Sequence, residues 1–182
     1  MIKCIPTKYD GVEFRSRLEA RWAVFFNELG IKWYYEYEGF DLDGEWYLPD
    51  FYLPEVKDGM FFEVKPLVED FDLKIAKLCC KLKSHTGLLL GPPEGWCPDR
   101  IRADWEVGNL LFDHESGCED YSYDFCICAK TGKPGFVYEG QRRWERISGL
   151  TWEQSRVYLK ESNRIEGRLE RARQVAQRYR FH

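Results

Sequence analysis

Apolar and polar positions alternate along this chain with two periods, and each change of period marks an element. Phe14, Leu18, Trp22, Phe25, Phe26 and Leu29 recur three and four residues apart, which predicts an amphipathic helix over 13–29, stopped by Gly30. The aromatic-rich run 31–38 reads as a strand ended by Gly39, and 46–53 as a second, with Asp43-Gly44 as the hairpin turn between them. A third strand, 60–65, is broken by Pro66. Phe71, Ile75, Leu78, Cys79 and Leu82 then share one face of a helix over 68–84. The short apolar strand 87–90, closed by Gly91-Pro92-Pro93, should run parallel in the sheet because a helical crossover leads into it. Further strands are expected at 107–113, 121–128 and 135–139 as a small antiparallel addition. A long basic helix is expected over 151–180, opened by Thr151 and Gln154 as a capping box. The expected fold class is α/β: a mixed β-sheet flanked by helices, in the order helix, three strands, helix, strand. Residues 1–95 would form the core, and 96–182 accessory strands and helix within the same globular domain.

The polar residues inside two of these strands carry the candidate chemistry. Asp50 lies between Leu48 and Phe51, and Glu63 and Lys65 flank Val64. Side chains two apart in a strand share a face, so Glu63 and Lys65 point one way and Val64 the other. Taken singly, such charges usually meet solvent. Taken together, a buried acid is costly unless paired or metal-bound, and two acids with a lysine on adjoining strands suit a hard divalent cation and a positioned water.

Pro49-Asp50 on one strand and Glu63-Val64-Lys65 on the next resemble the signature of the PD-(D/E)XK nuclease superfamily, and the order of elements around them is similar to that superfamily's core. The resemblance implies a restriction-endonuclease-like fold and Mg2+- or Mn2+-dependent hydrolysis of phosphodiester bonds in DNA. It assigns Asp50 and Glu63, with the Val64 carbonyl, as metal ligands, and Lys65 as the residue that orients or helps deprotonate the water. Holliday junction resolvases and the endonuclease subunits of some transposases, which are branches of that superfamily, also place a Glu on the first core helix. By that resemblance Glu19, in R-S-R-L-E-A-R-W, joins the metal shell. By periodicity alone Glu19 lies on the flank of the buried stripe, with Arg15 one turn earlier as its neighbour in an ordinary ion pair. Arg15, Arg17 and Arg21 are candidates for phosphate contacts, since guanidinium suits bidentate phosphate recognition. The branches it resembles point to a structure-selective enzyme of phage or mobile-element type, acting on branched or nicked DNA, and to a homodimer.

Composition narrows the classes. The chain has 182 residues, of which 44% are hydrophobic and 16% aromatic, too apolar for a disordered segment. The net charge is −4, so the whole surface does not attract nucleic acid. Residues 141–182, however, hold eleven Arg or Lys against five Glu. The C-terminal helix therefore reads as a solvated basic helix, a DNA-backbone contact or a pairing face. No run is long and apolar enough for a leader or a membrane span, and seven Cys, an odd number, fit reduced thiols; a cytoplasmic chain with no membrane partner is expected. His114, Cys118, Cys126 and Cys128 are spaced poorly for zinc and fit buried thiols better, and Cys79-Cys80 reads as core. The reading that competes with an enzyme is a non-catalytic nucleic-acid-binding or interaction module on the same fold.

Overall fold

In the computed structural model the described residues are 4–56, 59–66, 74–93, 109–114, 119–127, 134–138 and 163–181. The chain opens with a hairpin, β1 (Thr7–Tyr9) and β2 (Val12–Phe14), turned by Asp10 and Gly11, both at positive φ. Two left-handed residues make the mirror-image turn whose twist matches paired strands. The expected helix over 13–29 therefore starts later: α1 runs Arg17–Leu29, capped by Ser16 and ended by Gly30 in the left-handed conformation. Phe14, counted into the helical stripe, is instead a strand residue and fully buried.

Among the described residues the central sheet has seven strands, in the order β11-β10-β9-β8-β7-β6-β3. In chain order these are β3 (Tyr34–Tyr35), β6 (Phe51–Leu53), β7 (Met60–Lys65), β8 (Thr86–Leu90), β9 (Asn109–Asp113), β10 (Glu119–Ile127) and β11 (Pro134–Tyr138). Between β3 and β6 the chain leaves the sheet for a separate hairpin, β4 (Phe40–Leu42) and β5 (Glu45–Tyr47). Asp43 and Gly44 do form its turn, at positive φ. The expected strand 46–53 is thus two strands in two sheets. Pro49 separates them, since it lacks an N–H to continue a ladder. The strand expected over 31–38 shortens to two residues, because Glu36 at φ 48° turns the chain out of the sheet.

The helix α2 (Lys74–Leu82) leads into β8, which pairs with β7 in parallel, while every other pair in the sheet is antiparallel. The mixed sheet, the parallel crossover and the antiparallel addition β9–β11 agree with the expected order. The third helix, α3 (Asn163–Arg178), covers the second half of the basic C-terminal run. Thr151, Gln154 and the rest of 151–162 lie outside the described residues, as do 68–73. The architecture is mixed α/β with one mixed sheet, and among the described residues no helix is long and apolar enough to cross a membrane.

Strand alternation sends two sets of side chains into two cores. Phe51, Leu53, Met60, Phe62 and Val64 pack with Phe125 against α1 and α3, around Trp22, Phe25 and Phe26. Phe61, Leu88 and Phe112 point the other way, against α2 and the β4–β5 hairpin. The two helices on the first face are tied by reciprocal caps. Arg168 of α3 donates to the Leu29 carbonyl at the end of α1 (2.7 Å), and Arg21 of α1 donates to the Ala176 and Gln177 carbonyls at the end of α3. Each guanidinium satisfies carbonyls that lack a partner within their own helix and sits at the negative pole of its dipole.

On α2, Cys79 is fully buried and free, and burial pushes its thiol pKa up. Cys80 is disulfide-bonded, which corrects the expectation that both are reduced core thiols. Consecutive helical residues point about 100° apart, so Cys80 stands on the exposed side. Of the residues weighed for zinc, Cys118 and Cys128 lie outside the described residues. His114 has Nδ1 3.8 Å from Asp113 Oδ1.

Candidate active site

The sheet register brings the two strand acids together. Phe51 is opposite Phe62 in the antiparallel β6–β7 pair, so Asp50 meets β7 at Glu63 and Val64. Its Oδ2 accepts the Val64 N–H at 2.7 Å. Pro49 serves the same end: by stopping β5 it leaves Asp50 just ahead of β6, where the side chain turns onto β7 rather than outward. Glu63 and Lys65 share a face, as alternation requires, and their side chains form an ion pair at 2.8 Å, while Val64 packs in the opposite core.

The N-terminus of α1 supplies the third acid. Glu19 lies three residues after the Ser16 cap; its N–H donates to Ser16 Oγ at 3.2 Å, and the Ser16 hydroxyl donates back to Glu19 Oε1 at 2.6 Å. Carboxylate at this position is also favoured by the positive end of the helix dipole. Glu19, Asp50 and Glu63 are all buried, at 7%, 2% and 8% exposure, and each lines one cleft of about 420 Å³. Arg15, Arg17, Val64 and Lys65 line it too. Of the residues expected at the site, only Arg21 is elsewhere, at the α3 terminus.

Arg15 is placed differently from its expected role beside Glu19. It precedes the helix, and its guanidinium bonds Asp50 Oδ1 at 2.5 Å and Glu36 Oε1 at 2.9 Å. Its link to Glu19 passes through a residue that pattern reading missed. The Tyr35 hydroxyl donates to Glu19 Oε2 at 2.5 Å and accepts from the Arg15 backbone N–H at 3.1 Å. Tyr47 was missed likewise; its hydroxyl donates to Glu63 Oε2 at 2.8 Å. Both tyrosines lie in aromatic strand runs where core packing is the ordinary expectation, and only the folded register shows which hydroxyl meets which acid.

Charge is dense here and poorly solvated. Burial, and then the neighbouring Glu63 and Glu19 charges, push the Asp50 carboxyl well above its usual pKa, against the opposing pull of the Val64 N–H and Arg15. Burial and the bond to Glu19 raise the Tyr35 hydroxyl in turn, so it stays a donor. Among the described residues no three His, Cys, Asp or Glu side chains are set so as to hold a metal ion: the acids meet Arg15, Lys65, Ser16 and the two tyrosines instead. In chemistry, however, the donor set fits a hard divalent cation. Three buried carboxylates line one cleft, the Glu63 and Glu19 charges disfavour that of Asp50, and positive charge placed among them relieves that repulsion.

Comparison of the chain with models of protein families, with curated proteins and with solved structures finds no match.

Proposed function

We propose that the chain is a divalent-metal-dependent endonuclease of the PD-(D/E)XK type, with a restriction-endonuclease-like fold, hydrolysing phosphodiester bonds of DNA. The observation that carries the reading is the meeting, in one cleft, of side chains from three separate stretches: Arg15 to Glu19, Asp50, and Glu63 to Lys65. A buried cluster of three acids is costly to fold, and sites tuned for chemistry are where such cost is met.

In this reading Asp50, Glu63, the Val64 carbonyl and Glu19 hold Mg2+ or Mn2+. When bound, the ion polarises a phosphate oxygen and acidifies a coordinated water. Glu63 keeps the Lys65 ammonium over the cleft, where it orients water and offsets the negative charge that grows on the phosphoryl oxygens. Tyr47 and Tyr35 fix the carboxylates of Glu63 and Glu19 by their hydroxyls, leaving each acid a set orientation. Arg15 balances Asp50 and is exposed enough to turn towards a phosphate, and Arg17 stands at the same cleft. Hydrolysis adds the water oxygen to phosphorus and releases one ester oxygen as an alcohol.

The test is cutting of labelled duplex, nicked, flap and four-way-junction DNA with Mg2+ or Mn2+. Wild type is expected to cut at least one form, and Asp50→Ala, Glu63→Ala and Lys65→Ala none. Normal cutting by any one variant removes that residue from the machinery. If the wild type cuts nothing and binds no metal, the non-catalytic binding module takes the place of the enzyme.

A further inference from the structure

A second depression, of about 650 Å³, is lined by Lys32, Trp33, Tyr34, Tyr35, Glu36 and Tyr37, among others. Two of its lining residues bond residues that line the cleft. Tyr35 lines the groove while its hydroxyl bonds Glu19, and Glu36 lines the groove while its carboxylate bonds Arg15. Glu36 is held at φ 48°, a conformation that costs a non-glycine residue energy, and so sends Tyr37 out of the sheet. Tyr37 rests on Tyr52, rings parallel within 15° at 5.0 Å, and against Tyr34 at 5.1 Å, yet stays 55% exposed. The Lys32 ammonium stands 5.2 Å from the Tyr34 ring.

We propose that this groove is a nucleobase-stacking site, which takes an unpaired DNA strand alongside the cleft. This rests on the nuclease reading above and adds its substrate class: DNA with unpaired bases next to the cut, as in a flap, a junction or a single strand. Three considerations select that occupant. Exposed aromatic faces with a nearby cation are what single strands stack upon, irrespective of sequence. Asp10 and Glu36 in the groove repel phosphate but can accept the N–H groups of a base edge. The cations that suit phosphates, Lys32 and Arg15, flank the groove, with Arg15 on the side of the cleft. A paired duplex would keep its base faces stacked and unavailable to the tyrosines.

The experiment measures binding apart from cutting. Fluorescence anisotropy in EDTA compares a labelled single strand with a blunt duplex of the same length, using the full chain, Tyr37→Ala and Tyr34→Ala. Both tyrosines are exposed, so these variants should fold, which circular dichroism checks. The wild type is expected to prefer the single strand. Tyr37→Ala should weaken that binding by roughly 5- to 150-fold, the range for losing one stacked base, and leave the duplex unchanged. Tyr37→Phe should keep it. Equal affinity for strand and duplex, or no loss in either alanine variant, overturns the inference. If duplex is cut in Mg2+ and cutting is lost in Asp50→Ala, that failure leaves the nuclease reading standing. Tyrosine-dependent strand binding with no cutting of any DNA keeps the stacking site and overturns the enzyme.

Discussion

Two depressions, linked through Tyr35 and Glu36, differ in what folding has had to overcome. The cleft buries three carboxylates, and each oxygen is met by a protein donor: Asp50 by Arg15 and the Val64 N–H, Glu63 by Lys65 and Tyr47, Glu19 by Ser16 and Tyr35. The groove keeps aromatic rings partly in water, a mild cost and one common at protein surfaces. Charge in the first place is therefore dear and arranged, while apolar surface in the second is cheap and open. A dense cluster of buried acids, in which Glu63 and Glu19 disfavour the charge of Asp50, points to a cationic occupant, and the open aromatic wall points to flat rings.

The sharpest way to break the contrast is to empty the cleft of one acid. Asp50→Ala should reduce metal-dependent cutting by about a hundred- to a thousandfold, the scale of losing a principal stabiliser of the transition state, while the groove still binds a single strand. Next comes the residue beneath both regions. Phe51 is fully buried and its ring meets Phe14, Phe26, Trp33 and Tyr35. Phe51→Ala should cost about 3–5 kcal/mol in urea unfolding and harm cleft and groove together. A loss confined to one of them would show that they are independent.

Smaller effects sharpen the account of the cleft. Tyr35→Phe and Tyr47→Phe remove one hydroxyl each and should weaken Mn2+ binding by roughly 10- to 100-fold in a calorimetric titration, as loss of an orienting partner does. An unchanged affinity would reduce both tyrosines to packing. The smallest effect concerns pH. Asp50 has its folded pKa raised above the unfolded value, so its contribution to stability is fully present below the unfolded pKa and is lost as pH rises through the folded one. The urea midpoint in EDTA should fall over that window in wild type, and less in Asp50→Asn; equal pH profiles would contradict the charge strain assigned to the cleft.

Much of the cleft is legible in the sequence. Alternation alone set Glu63 and Lys65 on one face with Val64 opposite, and the spacing of Asp50 from Glu63 suited neighbouring strands. The element order around them followed from helical and strand periods, and the parallel direction of the strand after α2 from the helical crossover that leads into it. What periodicity could not show was where short elements join different sheets. Asp10-Gly11 carries the same hairpin signal as Asp43-Gly44, yet the helical stripe that begins at Phe14 takes up the end of the strand that follows it. Tyr35 and Tyr47 were hidden for another reason. Each lies in an aromatic run that core packing explains, and the partner of each hydroxyl depends on contacts sixteen residues away. Arg21 shows the converse: three arginines share a sequence pattern, but only the fold separates the one that caps α3 from the two at the cleft.

The central claim is that the acids of this cleft hold a divalent cation, and calorimetric titration of Mn2+ into wild type and Asp50→Ala tests it most directly. Saturable binding by wild type, lost in the variant and accompanied by a metal-dependent rise in Tm of wild type alone, is the predicted result. No heat of binding and the same Tm with and without Mn2+ would contradict it.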